Sequence, residues 1–384
     1  MPYFLWRISY IAIKPLAILF AAKFLNADSA SLIALAIAIS GSLMASLSFG
    51  TYRFLFQARS QSLRLQRADL MRKSTFLFNI IILCLFGSIA ALIFGHETVA
   101  FVTAFVITEH VVHDESRVLL YAGSRERWAR ENCLRTLFVL AVPVLTYIGG
   151  DHVSLLAAML IATFVNVVIS TARGGLFRLR HQTIFVLVRP SFYRMYRRQF
   201  NYFVSGTLNR INQQSDRYIF SVMSFETLWI YSLVAQIGNL PLMFFEMSHL
   251  SRLKETVAQQ KAHSFQWIPR RQLLTLAAVS IFAILTYGLI GVTTRELFNT
   301  LFVTLLISTL AVNYLAATSM FNGERLFWAL RDGGLFARLE ISAFVACLIA
   351  SVFVVASGRL PLVVLPKALN LLVRIRNSHR WLQS

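Results

Sequence analysis

The chain has 384 residues, is 57% hydrophobic with a mean hydropathy of +0.63, and carries a formal net charge of +20. A soluble domain is about 45–50% apolar, so a single water-soluble globule is excluded, and the pI of 10.7 need not signal a nucleic-acid binder. The three cysteines, Cys84, Cys133 and Cys347, sit far apart beside apolar runs, which gives neither a disulfide framework nor a metal-ligand pattern.

The apolar residues fall in blocks of about 17–25, the length a helix needs to cross a ~30 Å hydrocarbon layer. Lipid leaves no unpaired backbone group satisfied, so each block must be helical. In chain order the sequence predicts twelve spans: 6–25, 31–52, 75–95, 98–120, 133–149, 152–172, 200–222, 226–248, 272–292, 297–320, 339–357 and 360–373. The first is too long for a signal-peptide core and is interrupted by Lys14. Short polar turns such as Gly95-His-Glu97, Gly149-Gly-Asp-His152 and Ser357-Gly-Arg359 alternate with longer basic connections.

With the N-terminus in the cytoplasm, 29 of the 37 Lys and Arg fall in cytoplasmic loops and the C-terminal tail, and 3 in outer turns. That asymmetry predicts both termini inside, in a cytoplasmic membrane. Anionic lipid head groups are the other use for such charges. It also decides the polar segment 201–223. If this segment lay on the surface, every later loop would invert and the basic loop 252–271 would face outward. The segment is therefore expected to cross, with its polar face on another helix or a water-filled cavity.

Charges at membrane depth cost several kcal/mol each and are functional candidates. On the first span Arg7, Tyr10 and Lys14 share a face. Lys14 lies roughly 12 Å in from Trp6, and the following Pro15 is expected to kink the helix. On the fourth span Glu109 lies about 16 Å from the outer end, near the midplane. It is followed by His110, His113, Asp114, Glu115 and Arg117, a cluster able to carry protons or a cation. The His-x-x-His-Asp spacing resembles a metal motif, but no second cluster completes it. On the seventh span Asn209, Gln213 and Asp216 share one face, with Arg210, Gln214 and Arg217 beside it. Guanidinium groups bind phosphate bidentately, and amides suit sugar hydroxyls. Lys367, Glu246 and His249 read as interfacial.

The connection 173–198 divides the spans six and six, giving two expected units, 1–180 and 181–384. An offset of 196 residues places Lys14 on Arg210, so each half presents a deep cation, as expected for a site at a repeat interface.

The stretch Asn209-Arg-Ile-Asn-Gln-Gln-Ser-Asp-Arg-Tyr218, followed by Thr227-Leu-Trp-Ile-Tyr-Ser-Leu-Val-Ala235, resembles the opening of the second half of polysaccharide exporters. So does the first pair of spans, through Phe49-Gly-Thr-Tyr-Arg53. Where that family has a glycine at the start of span 8, this chain has Trp229, and its outer turns are short. The family is the Wzx-type O-antigen and exopolysaccharide flippases, in the superfamily that includes MATE exporters.

The resemblance implies an all-α polytopic membrane protein with two six-helix bundles around a cationic central cavity. It implies a transporter, without a cofactor, that moves an undecaprenyl-diphosphate-linked oligosaccharide to the periplasmic leaflet by alternating access, coupled to a proton or sodium gradient. Lys14, Arg210 and Arg217 would hold the diphosphate. Asn209, Asn212, Gln213 and Gln214 would meet sugar hydroxyls, and Glu109, His110 or Asp216 would carry the coupling ion. Expected partners are the lipid-linked oligosaccharide, the bilayer and other polysaccharide-assembly membrane proteins. The competing expectation is a membrane polysaccharide polymerase or O-acyltransferase, for which the Glu109–Arg117 cluster would supply acid–base groups.

Overall fold

The computed structural model describes residues 2–47, 62–121, 125–172, 190–245, 267–329 and 333–383. These residues form helices joined by short turns, with no strand among them. They divide into two compact units, Met1–Arg210 and Ile211–Ser384. The boundary expected at 180/181 lies outside the described residues, as do Phe49–Arg53, Glu246 and His249.

The first unit contains α1 (Pro2–Phe24), α2 (Ala27–Leu47), α3 (Ser62–Phe94), α4 (His96–Tyr121), α5 (Arg125–Thr136), α6 (Phe138–Gly149), α7 (Leu155–Ala172) and the start of α8 (Pro190–Met223). Pro15 sits inside a continuous α1. Pro190 opens α8, where its missing N–H removes no helical bond. The fifth predicted span is longer than expected, reaching back through α5 with a single turn residue at Leu137.

Within this unit α4 is the central element, touching α2, α3, α5 and α7. From Phe101 to Val112 most of its residues are buried, on more than one side. That packing is why a helix with Glu109 and His110 in its middle can be accommodated. By contrast α3 exposes Ile81, Leu85, Phe86, Ile89, Leu92 and Ile93.

The second unit contains the end of α8, then α9 (Leu228–Gly238, helical again over 240–245), α10 (Arg270–Thr293), α11 (Thr300–Ala329), α12 (Gly333–Ser357) and α13 (Leu365–Gln383). α9 packs on α10 and α11, and α13 packs against α11 and α12. α10 exposes Ile281, Phe282, Ile284, Leu285, Leu289 and Val292.

Large apolar side chains thus face outward while Glu109, Asp216, Asn212 and Glu340 are buried. A water-soluble protein has the opposite arrangement, and exposed apolar faces of this size call for lipid. Among the described residues seven helical segments are long and apolar enough to cross a membrane: Leu5–Phe24, Lys73–Ile93, Glu126–His152, Leu228–Phe245, Arg270–Val292, Thr300–Asn322 and Ala337–Ser357. The chain is an α-helical membrane protein.

One boundary differs from expectation. Residues 374–380, read from sequence as a tail, continue α13 as one helix to Gln383. Lys367, Asn370, Leu371, Ile375 and Ser378 lie on its buried stripe. The basic residues that suggest a tail in sequence alternate with buried positions at helical spacing.

The predicted outer turns fall where helices end. Gly95 alone separates α3 from α4, with φ 101°, and Gly358 follows α12 with φ 64°. These are left-handed conformations that glycine adopts without a Cβ penalty. Gly358→Ala is expected to cost about 1 kcal/mol. Gly288→Ala, inside α10 with open space at its Cβ position, is expected to stabilise by up to about 1 kcal/mol. Unfolding of the two variants in detergent checks the pair.

Candidate functional site

In the first unit, α1, α2 and α4 converge on Glu109. Lys14 Nζ lies 2.6 Å from Glu109 Oε1. The Ser40 hydroxyl donates to Glu109 Oε2. The carboxylate is only 3% exposed and is held by one cation and one hydroxyl from two different helices. An isolated carboxylate here would carry a desolvation cost of several kcal/mol. Pairing with Lys14 leaves the site neutral overall. His110, next to Glu109, is buried and stacked on Phe76 of α3, centroids 4.8 Å apart and rings inclined by 20°. The preceding Thr108 shares a 2.8 Å hydroxyl–hydroxyl bond with Thr163 of α7. The side chains of His113, Asp114, Glu115 and Arg117 lie outside the described residues.

In the second unit, α8, α9 and α13 converge on Asp216, which is 1% exposed. Its Oδ2 accepts a 2.8 Å bond from the Tyr231 hydroxyl and lies 3.8 Å from Lys367 Nζ. Its Oδ1 accepts from the Arg217 backbone N–H at 2.9 Å. Tyr231 is fully buried and stacked on Phe220, with centroids 4.5 Å apart and rings within 5° of parallel. The aromatic stack fixes the hydroxyl, and the hydroxyl fixes the carboxylate.

Each unit therefore holds one buried carboxylate between a lysine and a hydroxyl. Lys367, which the sequence places only at an interface, is the cation of the second set. It lies in the first turn of α13, where a lysine reads in sequence as one that snorkels past a helix end; the facing Asp216 is what marks it out. Sequence reasoning also misses Glu340 on α12, whose Oε1 takes bonds from Arg374 Nε at 3.0 Å and Nη2 at 2.9 Å. Arg374 belongs to the segment read as a tail.

On the helices that converge on Asp216, several buried polar atoms have no hydrogen-bond partner among the described residues. They are both amide atoms of Asn212, Gln214 Oε1, Ser232 Oγ, Asn370 Nδ2 and Arg217 Nε. Arg217 is 7% exposed, and among the described residues it forms no ion pair with a carboxylate. Asn209, Arg210, Gln213 and Gln214 are half-buried along the same helix. The backbone carbonyl of Arg210 accepts from the Ser42 hydroxyl of α2 at 3.4 Å.

Chemically, the two lysine–carboxylate sets can exchange a proton or a cation, since each has a charge to release and a hydroxyl to relay it. The Arg217 guanidinium, buried without a carboxylate, suits an anion. Among the described residues no three His, Cys, Asp or Glu side chains gather closely enough to share a metal ion. No protein-family model, curated protein or solved structure matches this chain.

Proposed function

We propose that this protein is a flippase that carries a lipid-linked oligosaccharide, its glycan joined to the lipid through diphosphate, across a bacterial cytoplasmic membrane. In this reading all twelve spans cross, in two six-helix bundles around a cationic cavity, with both termini in the cytoplasm. The less apolar helices α4 and α8 are supported as spans by their burial and length: α8 alone, at 34 residues, is about 50 Å long. The division of basic residues read from the sequence, 29 on the expected inner side, helix ends included, against 3 in outer turns, supports the orientation.

The observation that carries the reading is the contrast among the intramembrane cations. Lys14 and Lys367 are each neutralised by a carboxylate of their own unit. Arg217 is nearly as buried as either carboxylate, and among the described residues it has none. A buried guanidinium of that kind is stabilised by an anionic substrate, and a diphosphate meets its planar donors two at a time. Arg210, about two turns away on α8, extends the cationic stretch. Asn209, Asn212, Gln213 and Gln214 offer donors and acceptors to sugar hydroxyls. Glu109, with His110 beside it, and Asp216 are the groups for a coupling proton or sodium ion. Lys14 engages the substrate only after leaving Glu109, which links the two events.

The test is made in the organism that supplies the gene. Arg217→Ala and Arg210→Ala are each expected to reduce surface polysaccharide at least tenfold, the scale of one lost charge-assisted contact of about 1.5–3 kcal/mol. Arg271→Ala, an exposed residue at the start of α10, is the control. Normal polysaccharide in both strains, with both variants present in the membrane, sinks the assignment.

A further inference from the structure

A second anion site emerges at the seam of α1 and α5, about two turns of α1 from Lys14. The Arg7 guanidinium carbon lies 4.6 Å from the centre of the Trp128 ring and 5.5 Å from that of Tyr10. The aromatic faces hold the cation in place. Yet Arg7 Nε and Trp128 Nε1 are both closed off from solvent and both without a hydrogen-bond partner. Among the described residues no carboxylate pairs with Arg7. On α5, Glu131 lies 3.8 Å from Arg135, and Glu126 is exposed. Two N–H donors on side chains in cation–π contact, one of them fully charged, lack an acceptor among the described residues, where an unmade bond is costly. An oxyanion that accepts from both satisfies them.

The surroundings identify the source of that oxyanion. Arg127, Arg130, Leu134 and Leu137 follow an i, i+3, i+7, i+10 spacing, which places them on one helical stripe. All four are exposed. The backbone stays helical through Leu137 (φ −54°, ψ −20°). The stripe is basic at one end and apolar at the other. On α1, Leu5 and Ile8 flank Arg7 and are also exposed. A free phosphate makes no use of the apolar half. A phospholipid uses both: its head group meets the arginines, and its acyl chain lies along the leucines.

We propose that the α1–α5 seam binds the head-group phosphate of an anionic glycerophospholipid, with Arg7 Nε–H and Trp128 Nε1–H as donors. The lipid is a resident of the seam and is not the translocated substrate, so the site stands whether or not the chain is a flippase.

The experiment is native mass spectrometry of the purified full chain in neutral detergent, titrated with phosphatidylglycerol, with phosphatidylcholine and with inorganic phosphate. The wild type is expected to retain phosphatidylglycerol about fivefold more tightly than phosphatidylcholine, the scale of one arginine at an anionic surface. Arg7→Ala and Trp128→Phe each remove most of that preference. Arg7→Lys keeps the charge but lacks the Nε donor and the planar stack, so it also loses preference; it serves if Arg7→Ala does not fold. Arg376→Ala, exposed on α13, changes nothing. Equal retention of the two lipids by the wild type overturns the proposal. So does an undiminished preference in both Arg7→Lys and Trp128→Phe, which shows that the two donors do not hold the head group. Displacement of phosphatidylglycerol by inorganic phosphate at equal concentration assigns the seam to a free anion and overturns the lipid.

Discussion

Replacing Lys14 by alanine is expected to destabilise the protein by about 3–5 kcal/mol, because it leaves Glu109 buried without its cation. The carboxylate sits 2.6 Å from the ammonium and also accepts from the Ser40 hydroxyl. Hydroxyl donors do not by themselves offset the removal of an ion from water. Glu109→Gln should cost less, since an amide needs no counter-ion and Lys14 retains partial access to solvent. The double variant Lys14→Ala/Glu109→Gln should recover most of what Lys14→Ala loses. Thermal unfolding in detergent measures all three. Additive losses in the double variant would show that the pair does not act as a unit.

Lys367→Ala is expected to behave alike but less severely, for two reasons. The separation from Asp216 is 3.8 Å rather than 2.6 Å, and at equal dielectric the attraction scales inversely with distance, so it is weaker by about one third. Asp216 also has two other donors, the Tyr231 hydroxyl and the Arg217 backbone N–H. Tyr231→Phe removes one of them and is expected to cost about 1.5–3 kcal/mol, the scale of a bond to a charged group. A cycle combining Lys367→Ala with Asp216→Asn should then give a smaller coupling energy than the Lys14–Glu109 cycle. The reverse order would mean that the second carboxylate depends on its lysine more than on its tyrosine.

The helices and their ends were legible in the sequence where the chemistry is local. Apolar run length marks α1, α3, α10, α11 and α12, and glycine marks the turns at Gly95 and Gly358. The burial of Glu109, Asp216 and Arg217 was legible one residue at a time. Who meets whom was not. Lys14 and Glu109 lie on α1 and α4, Asp216 and Lys367 on α8 and α13, and no spacing rule within one helix links such positions. Arg374 shows the cost of reading charge alone. Its neighbours Arg376 and Arg380 look like an inner tail, yet Arg374 faces Glu340 inside the unit. A basic residue in a tail and one on the buried stripe of a helix look the same until a facing carboxylate is known.

The lysine–carboxylate sets also determine how the protein meets the membrane voltage. A closed pair has no net charge, so the potential does no net work on moving it, apart from its small dipole. An unpaired charge crossing the full membrane exchanges about 2.3 kcal/mol per 100 mV. Protonating Glu109 turns the Lys14 pair into a single positive charge, and the same holds for Asp216 and Lys367. In the proposed transport cycle, voltage would therefore act on the steps in which a pair opens and pass over those in which it stays closed. An applied potential that changes the rate of one half of a working cycle would thereby mark the half in which a lysine stands alone.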